Sequence, residues 1–266
     1  MDSTPHPCAL EGLARPHARS LTSAERQRML RAGADVLECY RVLRKAGLNV
    51  VGEVLKGQGE FVELDHYPAD DVFDEETAGQ YYYHAHRNGE HGHFHTFLRA
   101  RGMPSGAAPL SYPQATEVWP AGADAHSHLI AISMDAYGFP IGLFATNRWV
   151  TGETWYPCGD VIAMLDRFAV DHAFPSWPVN RWISAMVTLF RPHIELLLRH
   201  RDRVVDAWQC ARPADDVFEN RELEMTGDLP ISVDEWLAEL SAADGESESP
   251  GNQTDTLEHP AYRFSS

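Results

Sequence analysis

The sequence predicts an α+β fold: an antiparallel sheet of about five or six strands, with helices packed on one face and a histidine-rich opposite face. Three observations predict it. Short segments with period-two alternation dominate residues 49–150, and helical spacing takes over after residue 160. The pair Asn88-Gly89 also lies between two alternating segments, the strongest short-range signal of a two-residue hairpin. Strands followed by helices, rather than the two in strict alternation, are the mark of an α+β domain.

Residues 1–20 are rich in Pro, Ala and Arg, lack apolar periodicity and are expected to be a mobile lead-in. A single domain is expected over 21–240. It opens with Thr22-Ser23-Ala24-Glu25, a capping sequence ahead of Met29, Leu30, Ala34, Val36, Leu37, Tyr40, Val42 and Leu43, whose spacing predicts an amphipathic helix ending near Gly47. Residues 49–55 and 60–67 read as strands, followed by an acidic connector with a short helix over 70–77. The second strand of the histidine hairpin is expected to reach about Arg99, and 102–125 reads as a long loop.

Strands are expected at 129–135 and 141–150. Helical spacing then covers 160–174, and Pro178 opens a longer helix to about Trp208 that Pro192 should kink or divide. A short strand over 221–225 and a helix capped by Ser232 with Glu235 complete the domain. Residues 241–266 read as a disordered acidic tail.

The chemistry concentrates in the hairpin. His84, His86, His91, His93 and His95 fall within twelve residues, where a chain with fourteen histidines in 266 should place fewer than one. If Arg87 faces Glu90, then His86 opposes His91, His84 opposes His93 and Tyr82 opposes His95. All six would share one face, because side chains alternate along a strand. Opposed Cβ atoms lie roughly 4.5–5.5 Å apart, so three imidazoles can converge on one ion with bonds of about 2.0–2.1 Å. Glu90 points to the far face in this register. The bland readings are a metal-free ligand or acid–base pocket, or a purely structural network.

His126-x-His128 repeats the alternate spacing and would add ligands or a proton relay if its strand lies beside the hairpin. Glu90 and Tyr82 are further candidates for ligand or relay. Asn147, Arg148 and Trp149 combine an amide, a guanidinium fork and an indole, suited to a carboxylate-bearing or aromatic substrate; the competing reading is an Arg148–Glu153 ion pair over aromatic packing. The run 199–203 reads as a solvated charged helix face.

The formal net charge of −17 argues against nucleic-acid or anionic-membrane binding. No apolar run is long enough to span a bilayer and no signal-peptide core is evident, so the expected compartment is the cytoplasm. The four cysteines are widely spaced and form no C-x-x-C pair, which suits a reduced compartment. Phosphate-loop, dinucleotide-binding, serine-elbow and H-E-x-x-H signatures are absent.

Two resemblances bear on this reading. His84-x-His86 with Glu90 four residues on is similar to the core of the first cupin motif, in which two histidines and a glutamate bind a metal inside a small β-barrel; the likeness covers seven residues. The motifs Val36–Leu43, Tyr81–Arg87, Glu90–Phe97 and Thr146–Thr151 together resemble an uncharacterised bacterial family described only as a domain of unknown function, over about residues 25–210. That resemblance implies a bacterial cytosolic protein with a shared histidine-rich site and no established activity. The functional expectation is a mononuclear non-haem metalloenzyme acting on a small molecule, its divalent ion being Fe, Zn or Cu, with oxygenase or oxidase chemistry favoured over hydrolysis. A metal carrier or sensor, or a metal-free binder of an anionic ligand, is the alternative.

Overall fold

The computed structural model describes residues 15–247. Residues 1–14 of the lead-in expected over 1–20, and 248–266 of the tail expected over 241–266, lie outside the described residues. The two helices at the start are α1 (Ser23–Lys45) and α2 (Val50–Leu55). Strands β1 (Tyr67–Phe73), β2 (Gly79–His84), β3 (Gly92–Arg99), β4 (His126–Met134) and β5 (Pro140–Thr146) follow. Then come α3 (Arg148–Thr151), α4 (Cys158–Met164), α5 (Trp177–Leu189), α6 (Arg191–Ala211), β6 (Met225–Pro230) and α7 (Val233–Ser247). The six strands form one antiparallel sheet in sequence order, with β1 and β6 at its edges. This open meander is not the small barrel that a cupin likeness implies.

Local chemistry accounts for most of these elements. Thr22 and Glu25 close a reciprocal capping box at the start of α1, each satisfying the other's backbone N–H. Met29, Ala32, Val36, Cys39 and Leu43 recur at helical spacing and are buried. Gly33 lets α7 approach closely, since a Cβ there would meet Leu237 Cδ2 at 2.2 Å. The expected long C-terminal helix is divided at Phe190, so α5 and α6 are separate helices, and Pro192 sits in the first turn of the second, where its missing N–H is not needed.

Several expectations are corrected. Residues 49–55 form a helix rather than a strand: the Asn49 side chain accepts the Gly52 N–H at 2.7 Å, and Val50, Val51 and Val54 bury a helical face. The strand expected over 60–67 begins only at Tyr67 and runs through the acidic segment, where a short helix was expected. A break in the β1–β2 pairing there leaves Asp71 at φ +57°. The helix from 160 stops at Met164 with a single 3-10 turn, Leu165–Arg167, after it. The strand ending at Thr146, not 150, gives way to α3, whose first N–H is capped by the Asn147 side chain. The last strand lies at Met225–Pro230 rather than 221–225.

At the ends of the domain, Ala18–Ser20 make a 3-10 turn with Ala18 buried and its N–H donated to Glu239 Oε1 at 2.8 Å, so this part of the lead-in is packed. α7 continues past 240 to Ser247, with Ser232 capping Glu235 as expected.

The sheet's two faces have different roles. Tyr81, Tyr83, Phe94, Ile130 and Ile132 are buried towards the helices; Phe94 meets Trp182 of α5 with ring centroids 5.6 Å apart, and Tyr81 bonds Asn180. The alternate residues Tyr82, His84, His93, His95 and Phe144 occupy the other face and touch one another.

Candidate metal centre

The β2–β3 register pairs His84 with His93 and Tyr82 with His95. Those strands end before the turn, so residues 85–91 form a wider connection than a two-residue hairpin. Gly89 takes φ +90°, whereas Asn88 is not among the positive-φ residues, which rules out the expected type I′ geometry. A Cβ on Gly92 would meet the His84 carbonyl at 2.6 Å and Tyr83 Oη at 2.5 Å, so the strands can close here only around glycine.

His84, His86 and His93 form a cluster that could hold a metal ion: one ring nitrogen from each lies within 4.8 Å of the others. Ring centroids are 4.9 Å apart for His84–His86, 4.5 Å for His84–His93 and 5.1 Å for His86–His93. His84 and His93 are buried, and His86 is the most exposed of the three. His95 adjoins them, its centroid 5.1 Å from His84 and 4.9 Å from His93.

The donor chemistry fits a cation. Nε2 of His84, His93 and His95 is buried in each case without a hydrogen-bond partner. Leaving such an atom unpaired costs about 1–3 kcal/mol, so three adjacent ones call for a shared ligand. His93 Nδ1 is held by Glu90 Oε1 at 2.5 Å. A carboxylate there fixes the tautomer with its proton on Nδ1 and a lone pair on Nε2, the arrangement that supports metal-bound histidines.

Electrostatics keeps the rings neutral. Burial, reinforced by the neighbouring imidazoles, lowers His84 to about 2. Burial also lowers His93, against the opposing pull of Glu90, and holds His95 well below the usual histidine range. Neutral imidazole is the form that binds metals.

The remaining site candidates are distributed as follows. His91 is not in the cluster: its Nδ1 pairs with Tyr83 Oη at 2.7 Å and its ring stacks on Phe61, on the far face. Glu90 reaches the cluster through His93 rather than pointing away. Tyr82 is buried on the site face, edge-on to His84 at 5.2 Å, with burial holding the proton on its hydroxyl. His128 is buried beside His95, with 3.0 Å between His128 Nε2 and His95 Nδ1. His126 lies further along, near Phe97, with Nδ1 3.2 Å from the Asp124 carbonyl oxygen.

Asn147, Arg148 and Trp149 bond elsewhere. Asn147 donates to the Val217 carbonyl, Trp149 Nε1 donates to the Leu223 carbonyl at 2.9 Å, and Arg148 pairs with Glu219 instead of Glu153. None of these bonds reaches a cluster histidine.

Sequence reasoning missed His66 and Asp71. The His66 ring stacks on Tyr82 at 3.6 Å and stands edge-on to His84 at 5.6 Å, while its Nδ1 lies 2.9 Å from Asp71 Oδ1. Asp71 is itself held by Gln80, which bonds Arg99. Only the His-x4-Asp spacing hints at this pair in sequence, and it depends on the irregular start of β1.

No curated protein and no solved structure matches the chain. Among the described residues, no helix is long and apolar enough to cross a membrane. The hairpin and its flanking motifs do have relatives: residues 30–231 match a family model described as a domain of unknown function, DUF6969, and the chain belongs to that family.

Proposed function

We propose that this protein is a mononuclear, metal-dependent enzyme acting on a small molecule, with His84, His86 and His93 as ligands to Fe, Cu or Zn. The observation that supports this most is the meeting of three imidazoles, two of them held neutral and with unpartnered buried Nε2 atoms, beside a carboxylate that orients His93. Neutral nitrogen donors suit these metals and leave the ion's charge uncompensated, so its remaining positions favour an anionic ligand.

Arg87 supplies a matching partner. Its guanidinium lies 4.1 Å over the Phe144 ring, and its Nη1, ion-paired with Glu90 Oε2 at 3.7 Å, makes no hydrogen bond, so it can donate one to a substrate carboxylate or enolate. The walls nearest the imidazoles include the rings of Tyr82, Phe97 and Phe144, an aromatic surround of the kind that excludes water, with His66 and its partner Asp71 beside His84. Oxidase or oxygenase chemistry is therefore favoured over hydrolysis. When bound, the ion would supply Lewis acidity or redox capacity, while the chain orients the substrate and excludes water.

An anion-binding experiment on Co(II)-loaded protein tests this reading. Added azide should shift the ligand-field spectrum, because an enzyme keeps exchangeable positions. An unchanged spectrum in a metal-loaded protein would mean a coordinately saturated carrier or sensor site, and would overturn the enzymatic reading.

A further inference from the structure

We propose that His95 is a fourth ligand of the metal centre and that His128 is the residue that holds it in the metal-binding tautomer. This rests on the three-histidine reading and extends it: with four imidazoles the open positions belong to an ion of higher coordination number such as Fe(II) or Cu(II), whereas bound Zn would be closed.

The argument begins with a register fault. β3 pairs with β4 as His95↔Ala131 and Thr96↔Ile130, but the next pair is Phe97↔His128, so Leu129 is an extra residue on β4. With unbroken alternation, Ala131 on the histidine face would put Leu129 there and turn His128 towards the helices. The bulge reverses the parity and delivers His128 onto the face of His95. The result is 3.0 Å between His95 Nδ1 and His128 Nε2, with both rings buried.

One proton lies between those two nitrogens, and the use of the far nitrogen of His95 decides which ring carries it. With an ion on Nε2, neutral His95 carries its proton on Nδ1 and donates it to Nε2 of His128. His95 Nε2 is then a bare lone pair. It is buried, has no partner, and belongs to a ring 5.1 Å from His84 and 4.9 Å from His93. Glu90 does the same for His93, so two ligands on β3 are set by two different acceptors.

X-ray absorption on the Zn-loaded full-length chain counts imidazoles directly. Four are expected in the unaltered protein and three in His95→Ala, with weaker zinc binding in a chelator competition. Loss of the Nδ1 acceptor in His128→Phe should weaken binding about 10- to 100-fold. His128→Gln, whose amide oxygen can accept the same proton, should restore most of the affinity; rescue by an acceptor separates positioning from simple packing. Three imidazoles in the unaltered protein, or unchanged affinity in His95→Ala, would overturn the fourth ligand and leave the three-histidine site standing. Failure of the unaltered protein to bind zinc, iron or copper would overturn both. Because the count in the unaltered protein decides the question, misfolding of a variant does not obscure it.

Discussion

Glu90 Oε1 accepts a hydrogen bond from His93 Nδ1 across 2.5 Å, although strict alternation from an Asn88-Gly89 turn would put the two side chains on opposite faces. The contact forms because residues 85–91 leave the ladder, which frees Glu90 to fold back under the ring. If it orients a ligand, Glu90→Ala should lower metal affinity about 10- to 100-fold with the fold retained. Glu90→Gln, which keeps a carbonyl acceptor but loses the charge, should fall in between. Chelator competition measures all three; equal affinities would remove Glu90 from the centre.

His91 provides the internal control. It bonds Tyr83 and stacks on Phe61, away from the cluster. His91→Ala should therefore retain full metal occupancy while losing about 1 kcal/mol of stability, seen as a lower urea midpoint. Loss of the metal in this variant would contradict the face assignment.

The metal-free protein should lose stability as the pH falls. His84 and His128 have folded-state values of about 2 and about 3 against an ordinary 6.5, so the unfolded chain binds more protons between those limits. Stability then rises with pH through that window and is lost progressively below about 6.5, by up to about 1.4 kcal/mol per pH unit for each imidazole. Buried Glu153 acts oppositely: burial raises it to about 7, so its contribution falls as pH rises from 4.5 to 7. Several imidazoles outweigh one carboxyl. Urea unfolding at pH 7 and pH 5 should show the lower stability at pH 5, with a shallower slope in His84→Phe; an identical slope would contradict the neutral, buried state of His84.

Arg148 is a test of structure against substrate binding. Its buried pairing with Glu219 and its position 5.4 Å over Trp119 tie α3 to the turn at Val217–Glu219 and to the loop before β4. Arg148→Met should cost roughly 3 kcal/mol, because Glu219 is left without its main partner. Metal affinity should not change. A variant as stable as the parent would show that the pair is not structural.

The hairpin register was legible because Asn88-Gly89 and the alternation around it place His84 opposite His93 and Tyr82 opposite His95 whatever the turn's type. His86 joins His84 and His93 as expected, but the fate of Glu90 and His91 was not legible, since parity arguments end where the ladder ends. His126-x-His128 suggested a second contribution to the same face, but the bulge at Leu129 that delivers it leaves no signature in the local sequence. The valines of 50–54 favoured a strand by propensity; the Asn49 cap and the burial of one helical face prevailed. His66 reaches Tyr82 through an irregular chain segment and a left-handed Asp71, geometry that no spacing rule encodes.

The most direct test of the central claim is element-resolved metal analysis of untagged protein purified without chelator or nickel resin, alongside His84→Ala and His93→Ala. Near-stoichiometric iron, copper or zinc in the parent, absent from both variants, is the expected result. A parent that carries no metal, and takes up none when offered Fe(II), Cu(II) or Zn(II), would contradict it.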